Sequence, residues 1–386
     1  MPANKPPFDG ERVKLGELIS KAPIERCGDG KYPVYSMTMR DGIVEQAGRF
    51  KKTIASKDTS SYKVVKKNQL VVGFPIDEGV IYVQHHDVPG IMSPAYNVWN
   101  INLGRVDPSY LEFALHSPRS MAYYADKMRG TTARRRTLTA DGLREMEILL
   151  PSVDEQVRVV NTLDEVRSLI KEANGQIAML DTLVKSRFVE MFGGSGWPVA
   201  TVGSLATDIR YGTSKKASDC GQFVYLRMNN MTDGGGLDFG DVKHIDLSGA
   251  ELEKCQVVDG DLLFNRTNSR EKVGKTAVFH AKEPMVIAGY IIRVRLGDRI
   301  KPDFLAAYMN LPTTKAMLRS IARGAVHQAN INSRELSAIE VPVPPICLQD
   351  SFLSFVAEVD KSRFVVQQKI EKLQMLYDSL AQEYFG

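Results

Sequence analysis

The stretch from Pro151 to Gly193 reads PSVDEQVRVVNTLDEVRSLIKEANGQIAMLDTLVKSRFVEMFG. Ser152 and the acids at 154 and 155 suit a helix start, because unpaired N–H groups and the helix dipole favour such residues there. The apolar residues that follow recur at alternating steps of three and four, with one break at Arg187: Leu163, Val166, Ile170, Ala173, Ile177, Leu180, Val184 and Met191. This spacing predicts a coiled-coil helix of about four heptads.

The same stretch returns from Pro344 to Gly386 as PPICLQDSFLSFVAEVDKSRFVVQQKIEKLQMLYDSLAQEYFG. The two copies align without a gap at half of the chain length of 386 residues, so that Gln156 meets Gln349. The second copy has its own apolar seam: Val356, Val359, Val366, Ile370, Leu373, Tyr377 and Leu380. The sequence therefore predicts a tandem duplication in which a long helix closes each half.

Length and composition narrow the class of protein. A chain of 386 residues is expected to form two or more domains. The net charge of +4 permits an acidic partner without demanding one. The four cysteines form no CxxC pair, which argues against a zinc site or a disulfide framework and fits a reducing compartment. No signal peptide or membrane-spanning run is recognisable, so the expected location is the cytoplasm.

The region that precedes each long helix has the same order of strands followed by helices. The predicted strands are rich in β-branched and aromatic residues: Tyr32–Thr38, Gln69–Phe74, Val80–Gln84, Gln222–Arg227, Asp261–Phe264 and Val286–Val294. The predicted helical segments are Pro108–Met128 and Pro302–Ile321. The frame is shared by both halves whereas the polar residues differ, as expected of two readers of different targets built on one scaffold.

Four short motifs resemble catalytic or metal sites but lack essential parts. Gly274 to Thr276 looks like the end of a phosphate-binding loop, yet Ser269 stands where that loop needs a glycine. Asp107 to Tyr110 lacks the second proline of the D/N-P-P-Y motif of adenine methyltransferases. The D-x-K at 241–243 has no partner acid, and His85-His86 lacks the HExxH spacing. The sequence therefore predicts neither a catalytic constellation nor a metal site.

Polar residues at strand ends in the second half suggest DNA contact. Arginine can donate two hydrogen bonds to the edge of guanine, asparagine and glutamine can form two with adenine, and lysine can bind phosphate. One such loop is more often a solvated turn, but three together favour DNA. The candidate DNA-binding residues are Lys215, Arg227, Asn229, Asn230, Asn265, Arg266, Thr267, Asn268, Arg270, His327, Gln328 and Asn330.

The first half offers basic runs at corresponding places. A lone lysine is usually a solvated surface residue, whereas a cluster that acids do not offset favours phosphate binding. The candidates here are Thr38, Arg40, Lys51, Lys57, Arg129, Thr131, Thr132, Arg134 and Arg135.

These features together resemble the specificity (S, HsdS) subunit of type I restriction–modification systems. The likeness covers the whole chain: a variable region, a long helix opened by proline, acids and Gln156, then a second variable region and helix. The runs GDLLFNRTNSREKVGKTAVF (260–279) and YLRMNNMTDGG (225–235) are similar to segments of that family's recognition domains. The second helix departs from the pattern, because Cys347-Leu348 precedes Gln349 where acids are usual.

The resemblance implies an α+β fold with two mixed α/β target recognition domains, separated by two long antiparallel coiled-coil helices in a pseudo-two-fold symmetric arrangement. The implied boundaries are 1–150 for recognition domain 1, 151–193 for the first spacer helix, 194–343 for recognition domain 2, and 344–386 for the second spacer helix.

The resemblance also implies a role and partners. Each recognition domain would read one half of a bipartite site on double-stranded DNA, and the helices would set the spacer and dock two modification (methyltransferase) subunits. The chain itself would be non-catalytic and hold no cofactor. S-adenosylmethionine, ATP and magnesium would sit on the modification and restriction subunits, and no membrane is involved.

Two other readings of the sequence are open. The chain could be a coiled-coil scaffold whose globular domains bind protein partners, in which case it would show no salt-dependent affinity for DNA. It could also be a fused methyltransferase–specificity enzyme, but the methyl-donor and D/N-P-P-Y motifs that this requires are missing.

Overall fold

The computed structural model describes residues 9–39, 41–49, 58–128, 137–194, 196–325 and 328–386. The chain divides into two compact units with mixed helix and strand content. Unit 1 comprises residues 1–173 and 369–386, and unit 2 comprises residues 174–368. Each long helix therefore contributes residues to both units.

Unit 1 is built from short strands followed by helices. Its strands are Gly10–Lys14, Ile19–Lys21, Tyr35–Thr38, Gly42–Glu45, Lys63–Val65, Gln69–Val72, Ile81–Val83, Gly90–Met92, Asn97–Ile101 and Glu147–Pro151. Its short helices and 3-10 turns are Leu15–Glu17, Gln46–Arg49, Ile76–Glu78, Pro108–Leu115, Pro118–Lys127 and Ala140–Arg144.

Unit 2 follows the same order. Its strands are Val199–Thr201, Ala206–Tyr211, Phe223–Leu226, Lys243–Ile245, Gln256–Val257, Leu262–Asn265, Thr267–Asn268, Thr276–Val278, Met285–Ile287, Ile291–Leu296, Arg323–Ala325, Gln328–Asn330 and Glu340–Pro342. Its short helices and 3-10 turns are Val202–Leu205, Met228–Asn230, Gly249–Cys255, Pro302–Met309, Pro312–Ile321 and Ser333–Ser337.

The largest sheet among the described residues of unit 1 has four antiparallel strands, in the spatial order Ile19–Lys21, Asn97–Ile101, Gln69–Val72 and Ile81–Val83. A separate pair joins Gly10–Lys14 to the strand that leads into the first long helix, with Gly10 opposite Pro151. The core combines side chains of this sheet and of the short helices with Leu163 and Phe385 from the two long helices. The long helices are thus part of the core of the unit.

The described part of unit 2 contains two four-stranded sheets, a three-stranded sheet, and a pair that joins Val199–Thr201 to Glu340–Pro342. The first sheet has the order Ala206–Tyr211, Ile291–Leu296, Leu262–Asn265 and Thr276–Val278, all antiparallel. In the second sheet, Phe223–Leu226 runs parallel to Met285–Ile287. Because Met285–Ile287 and Ile291–Leu296 belong to different sheets, the turn at 288–290 links the two.

Three predicted elements are each divided in the structure. The predicted strand Val286–Val294 is two strands separated by the turn at 288–290. Pro108–Met128 and Pro302–Ile321 are each two helices, and the second of each pair starts at a proline, Pro118 or Pro312. Proline has no N–H to donate to a preceding turn, but it is well suited to the first turn of a new helix.

The long helices run from Val153 to Phe192 and from Ile346 to Phe385, 40 residues each. Every predicted seam residue is buried or half-buried. At the break in the first seam, Phe188 is buried beside Arg187 and supplies the missing apolar contact. The first helix continues through Gly175 without interruption.

Within each unit, segments of the two long helices pack together. In unit 2, Phe188 lies 5.2 Å from Phe352 between ring centroids, and Arg363 Nη2 lies 2.7 Å from Asp181 Oδ1. Going from Phe188 back to Asp181 in the first helix, the contacts advance from Phe352 to Arg363 in the second helix. The two segments of unit 2 are therefore antiparallel. In unit 1, Leu163 shares a core with Phe385.

Candidate nucleic-acid interface

Four of the predicted DNA-binding residues line one open depression on unit 2, with a volume of about 450 Å³. We call it the basic depression. Its lining consists of Thr213, Ser214, Lys215, Ala217, Tyr225, Arg227, Met228, Asn229, Arg266, Ala288, Gly289 and Tyr290. The lining residues include three cations and no carboxylate. Three separate stretches of sequence contribute the predicted residues, at 215, 227–229 and 266.

Arg227 enters the basic depression from the end of the strand Phe223–Leu226. Its Nη2 atom donates to the carbonyl oxygen and to Oδ2 of Asp241, both at 3.1 Å. Its Nε atom is buried and has no hydrogen-bond partner within the described chain. Asn229 follows on the 3-10 turn and is exposed. The Arg227 guanidinium is therefore held in place by Asp241, while its Nε donor has no partner within the described chain.

Arg266 is held by stacking rather than by an acid. Its guanidinium carbon lies 4.9 Å from the ring centroid of Tyr211, and Nη1 donates to the Gly289 carbonyl oxygen at 3.4 Å. The tyrosine is itself fixed, because its hydroxyl donates to Ser333 Oγ at 2.9 Å. A planar guanidinium held by stacking keeps donors available for a planar acceptor such as a base edge or a phosphate.

Lys215 carries the most exposed of the three charges. Its ammonium is 2.5 Å from Glu251 Oε2, and Glu251 lies outside the lining of the depression. The hydrogen bond from Lys215, followed by that from Thr213, lowers the pKa of the Glu251 carboxyl. Such an exposed pair is weak in water, so a phosphate can compete for the lysine.

Three of the predicted residues are buried: Asn230, Asn265 and Thr267. The Asn230 amide donates to the carbonyl oxygens of Asp238 and Asp241 at 3.0 and 2.8 Å. The Asn265 amide donates to the carbonyl oxygens of Thr267 and Tyr290, both at 3.3 Å. Buried amides of this kind fix the main chain. We therefore assign Asn230 and Asn265 a positioning role, and direct DNA contact by them and by Thr267 stays a prediction.

The small sheet next to these residues holds three further candidates, Asn268, Gln328 and Asn330. Thr267 is paired with Asn330 and Asn268 with Ala329, while Gln328 is exposed at the end of its strand. Asn268 Nδ2 donates to Asn265 Oδ1 at 3.1 Å. Asn330 Oδ1 is buried with no partner in the described part of the protein. None of these residues lines the basic depression.

Arg270 belongs to a second basic region of unit 2. It is exposed, and its Nε donates to the Arg319 carbonyl oxygen at 3.3 Å. Nearby, Lys275 is paired with Asp233 at 2.6 Å. Burial, followed by repulsion from Arg319 and Lys275, lowers the pKa of Lys315 to about 8. The charges of this region are closely spaced, yet it is not continuous with the lining of the basic depression.

In unit 1, the structure describes one of the predicted site residues. Thr38 ends the strand Tyr35–Thr38, where its hydroxyl accepts from the Asp41 N–H at 2.9 Å and donates to the Gly42 carbonyl oxygen at 3.4 Å. It shapes a hairpin turn. The remaining candidates lie outside the described residues: Arg40, Lys51, Lys57, Arg129, Thr131, Thr132, Arg134 and Arg135, together with His327 of unit 2.

Two aromatic residues of this region were not predicted from the sequence. Tyr211 stacks on Arg266, and Tyr290 stands 52% exposed in the lining of the basic depression. The predicted continuous strand across residue 290 concealed the turn that exposes the tyrosine. Gly289-Tyr290 between two apolar runs was the available signal, because glycine favours turns.

The described residues include neither a candidate metal cluster nor a candidate membrane span. Within them, no three His, Cys, Asp or Glu side chains are grouped so that they could bind a metal ion. The described helices also include none that is both long and apolar enough to cross a lipid bilayer.

Comparisons with known proteins agree with the sequence reading. No protein-family model matches the chain. A putative type I restriction enzyme MjaX specificity subunit from Methanocaldococcus jannaschii is 24% identical over 193 residues, 49% of this chain and 45% of the relative. The EcoKI specificity subunit from Escherichia coli K12 is 25% identical over 173 residues, 44% of this chain and 36% of the relative. The matches thus span less than half the length of these curated relatives.

A solved structure matches along nearly the whole chain. It belongs to a study of complex assembly and conformational transition of the type I R-M system. The match has a TM-score of 0.57 at 18% identity and covers 98% of both chains, so the two share a fold. Together these matches confirm that the chain resembles the specificity subunits of type I restriction–modification systems.

Proposed function

We propose that this chain is the DNA-specificity subunit of a type I restriction–modification complex. The observation that carries the proposal is the basic depression, which gathers Lys215, Arg227 and Arg266 without a lining carboxylate. Cations attract the phosphate backbone, and arginine forks and amides can read base edges. The exposed Asn229 adds such an amide.

The acids that pair with cations of the basic depression, Asp241 and Glu251, lie outside its lining, whereas two other concave surfaces of the described chain are lined by acids. A groove of unit 2 that is also about 450 Å³ contains Asp181, Asp303 and Asp360 beside its cations. A depression of unit 1 contains Glu112 and Asp164. Surfaces that mix both signs suit protein contacts better than a polyanion, so the basic depression is the better candidate for DNA.

The internal repeat supports a bipartite target. Each half would read one part of a split site, and residues 1–150 and 194–343 would be the two readers. The two helices of 40 residues would form an antiparallel coiled coil with pseudo-two-fold symmetry. At about 1.5 Å per residue, each helix is about 60 Å long, which corresponds to roughly 18 base pairs of duplex at about 3.4 Å each.

In the proposed complex, this chain binds DNA and positions its partners but performs no chemistry. Two modification subunits would bring S-adenosylmethionine, and restriction subunits would add ATP-dependent cleavage. Docking of proteins on the helices is supported by exposed apolar side chains in their middle turns: Met179, Leu183, Phe364, Val365, Met375 and Leu376. Exposed apolar surface of this kind commonly marks protein contacts. This role places the chain in the cytoplasm with the host DNA.

A domain exchange tests the proposal. Residues 201–340 are replaced with the corresponding segment of a related specificity subunit, and methylated motifs are mapped in the host genome with the original and the exchanged chain. We expect one half of the methylated motif to change and the other half and the spacer to persist. A change in both halves, or in neither, contradicts the modular reading. If methylation does not depend on this chain at all, the specificity role itself is wrong.

The scaffold alternative has a distinct outcome. A protein-binding scaffold would show no sequence-dependent affinity for duplex DNA and no steep dependence on salt. Competition binding between specific and unrelated duplexes at two salt concentrations separates the two functions.

A further inference from the structure

We infer that Tyr290 is a base-contacting residue that determines sequence specificity in unit 2; this rests on the proposed function. Tyr290 lines the basic depression beside Lys215, Arg227 and Arg266, and its side chain is 52% exposed. The inference names a residue that would read a base beside the exposed Lys215, which would bind phosphate.

The main chain under Tyr290 is rigidly held. Its carbonyl oxygen accepts from the Arg266 N–H at 2.9 Å and from Asn265 Nδ2 at 3.3 Å. The preceding Gly289 N–H donates to the Thr213 carbonyl oxygen at 2.7 Å. A Cβ atom at Gly289 would lie 3.3 Å from that same oxygen, so the turn is closely packed against residue 213. Only the Tyr290 side chain is directed to solvent.

A rigid turn that presents an exposed tyrosine has the properties of a recognition residue. Tyrosine has two side-chain torsions, so ordering it in a complex costs little entropy, while its ring and hydroxyl offer apolar and polar contacts. On DNA, the ring can pack on a thymine methyl group and the hydroxyl can bond a base edge.

The neighbouring charges make this role specific to DNA. Lys215 is the most exposed of the three cations around the depression and can approach the backbone, whereas Arg266 is stacked on Tyr211. Phosphate contacts position a protein on the duplex but carry no sequence information. An aromatic side chain placed among such cations is therefore suited to the base itself.

The test compares Tyr290→Ala and Tyr290→Phe with Phe239→Ala. Phe239 is another exposed aromatic residue of unit 2, at 41%, and lines a different groove. Each full-length chain is purified in its complex from the host. Affinity is measured for duplexes that carry the methylated motif, or that motif with single base changes in either half.

We expect Tyr290→Ala to reduce discrimination at one or two base pairs of one half-site by roughly tenfold, the scale of a single mismatched pair. The other half-site and the salt dependence should be unchanged. If Tyr290→Phe has the same effect, the hydroxyl reads the base edge; if it behaves as wild type, the ring makes the contact. Phe239→Ala should discriminate as wild type does.

The inference is overturned if Tyr290→Ala matches the wild type, or if it weakens binding to every duplex equally. Its failure is distinguishable from failure of the proposed function. If only the inference fails, the wild-type complex prefers its motif and Tyr290 does not contribute to that preference. If the proposed function fails, the wild-type complex shows no sequence preference.

Discussion

Gln156 and Gln349 make the same three hydrogen bonds at equivalent positions of the two sequence repeats. Gln156 accepts from the Asp107 N–H at 2.7 Å and donates to the carbonyl oxygens of Arg105 and Pro151 at 3.1 and 2.9 Å. Gln349 accepts from the Lys301 N–H at 2.8 Å and donates to the carbonyl oxygens of Arg299 and Pro344 at 3.2 and 2.8 Å.

Both glutamines are completely buried. Each one ties the first turns of a long helix to the residues just before a short helix, Pro108–Leu115 in unit 1 and Pro302–Met309 in unit 2. One amide group thus fixes the angle at which a long helix leaves its unit. The glutamine of the helix-opening pattern is therefore explained by main-chain hydrogen bonding.

Replacing Gln349 should destabilise unit 2. Gln349→Ala leaves the Lys301 N–H and two carbonyl oxygens without their partner in a buried place, which costs about 2–3 kcal/mol. Unfolding in urea, followed by circular dichroism, measures the loss. Gln367→Ala, at an exposed position of the same helix, serves as the control and should change stability by less than about 0.5 kcal/mol. Equal effects of the two substitutions would show that the buried network is unimportant.

The repeat predicted much of the fold because its signal is local and periodic. The seam from Leu163 to Met191 follows from spacing alone, and the structure buries or half-buries it. The turn at 288–290 was not predictable in this way, because apolar residues on both sides read as one strand. The place of Phe385 in the core of unit 1 depends on contacts between residues far apart in sequence. Neither composition nor periodicity records such contacts.

The candidate site shows a similar limit. Residue type indicated Lys215, Arg227, Asn229 and Arg266, and the structure places them around one depression. The same reasoning selected Asn265, whose amide is bonded to the main chain and is completely buried. An asparagine that reads a base and one that braces a loop have the same sequence signature. Only the direction of the side chain separates them.

Arg266 and Lys215 should respond differently to substitution. Arg266→Lys retains the charge but loses the planar fork that stacks on Tyr211, so discrimination between half-site sequences should fall by about 1–3 kcal/mol. Lys215→Ala should weaken binding to all sequences and reduce the salt slope by about one, as for one lost phosphate contact. Both are measured by competition binding over a series of salt concentrations.

Lys282 offers a matched control, because it is an exposed lysine of unit 2 that does not line the basic depression. Lys282→Ala should leave the salt slope as it is in the wild type. A slope that falls equally for Lys282→Ala and Lys215→Ala would mean that only net charge matters, which contradicts a defined contact.

His280 should make the stability of unit 2 depend on pH. Its Nδ1 lies 2.9 Å from Asp259 and its Nε2 lies 2.9 Å from Asp303. Partial burial acts to lower the pKa of His280, but the hydrogen bonds to Asp303 and Asp259 outweigh it and the pKa is raised. The stabilisation is therefore fully present below the unfolded value of about 6.5, and is lost as pH rises through the higher folded-state pKa.

The effect should be small because the side chain of His280 is 56% exposed. We expect up to about 1 kcal/mol between wild type and His280→Ala at pH 6, and a smaller difference at pH 9. Urea unfolding at the two pH values measures it. Asp303→Asn keeps the imidazole and removes one carboxylate, so this variant should show a weaker pH dependence. A difference that grows with pH would reverse the sign and refute the carboxylate pairing as its cause.

A matched insertion in both long helices should lengthen the unread spacer of the DNA target. One heptad is inserted between Ala173 and Asn174 and another between Gln368 and Lys369, where the two compact units divide. The contacts within each unit then stay intact, since each insertion falls between units, and seven residues preserve the phase of the apolar seam. The added length is about 10 Å, or roughly three base pairs at about 3.4 Å each.

Methylation mapping reads the result of this insertion directly. If the helices act as a ruler, both half-sites persist and the spacer between them grows by about three pairs. Inserting five residues instead of seven turns the apolar seam by about 140°, because each residue adds about 100° of rotation, and should abolish methylation at any regular spacing, which provides the control. An unchanged spacer with the heptad insertion would mean that the helices do not set the distance, even if both units still read their half-sites.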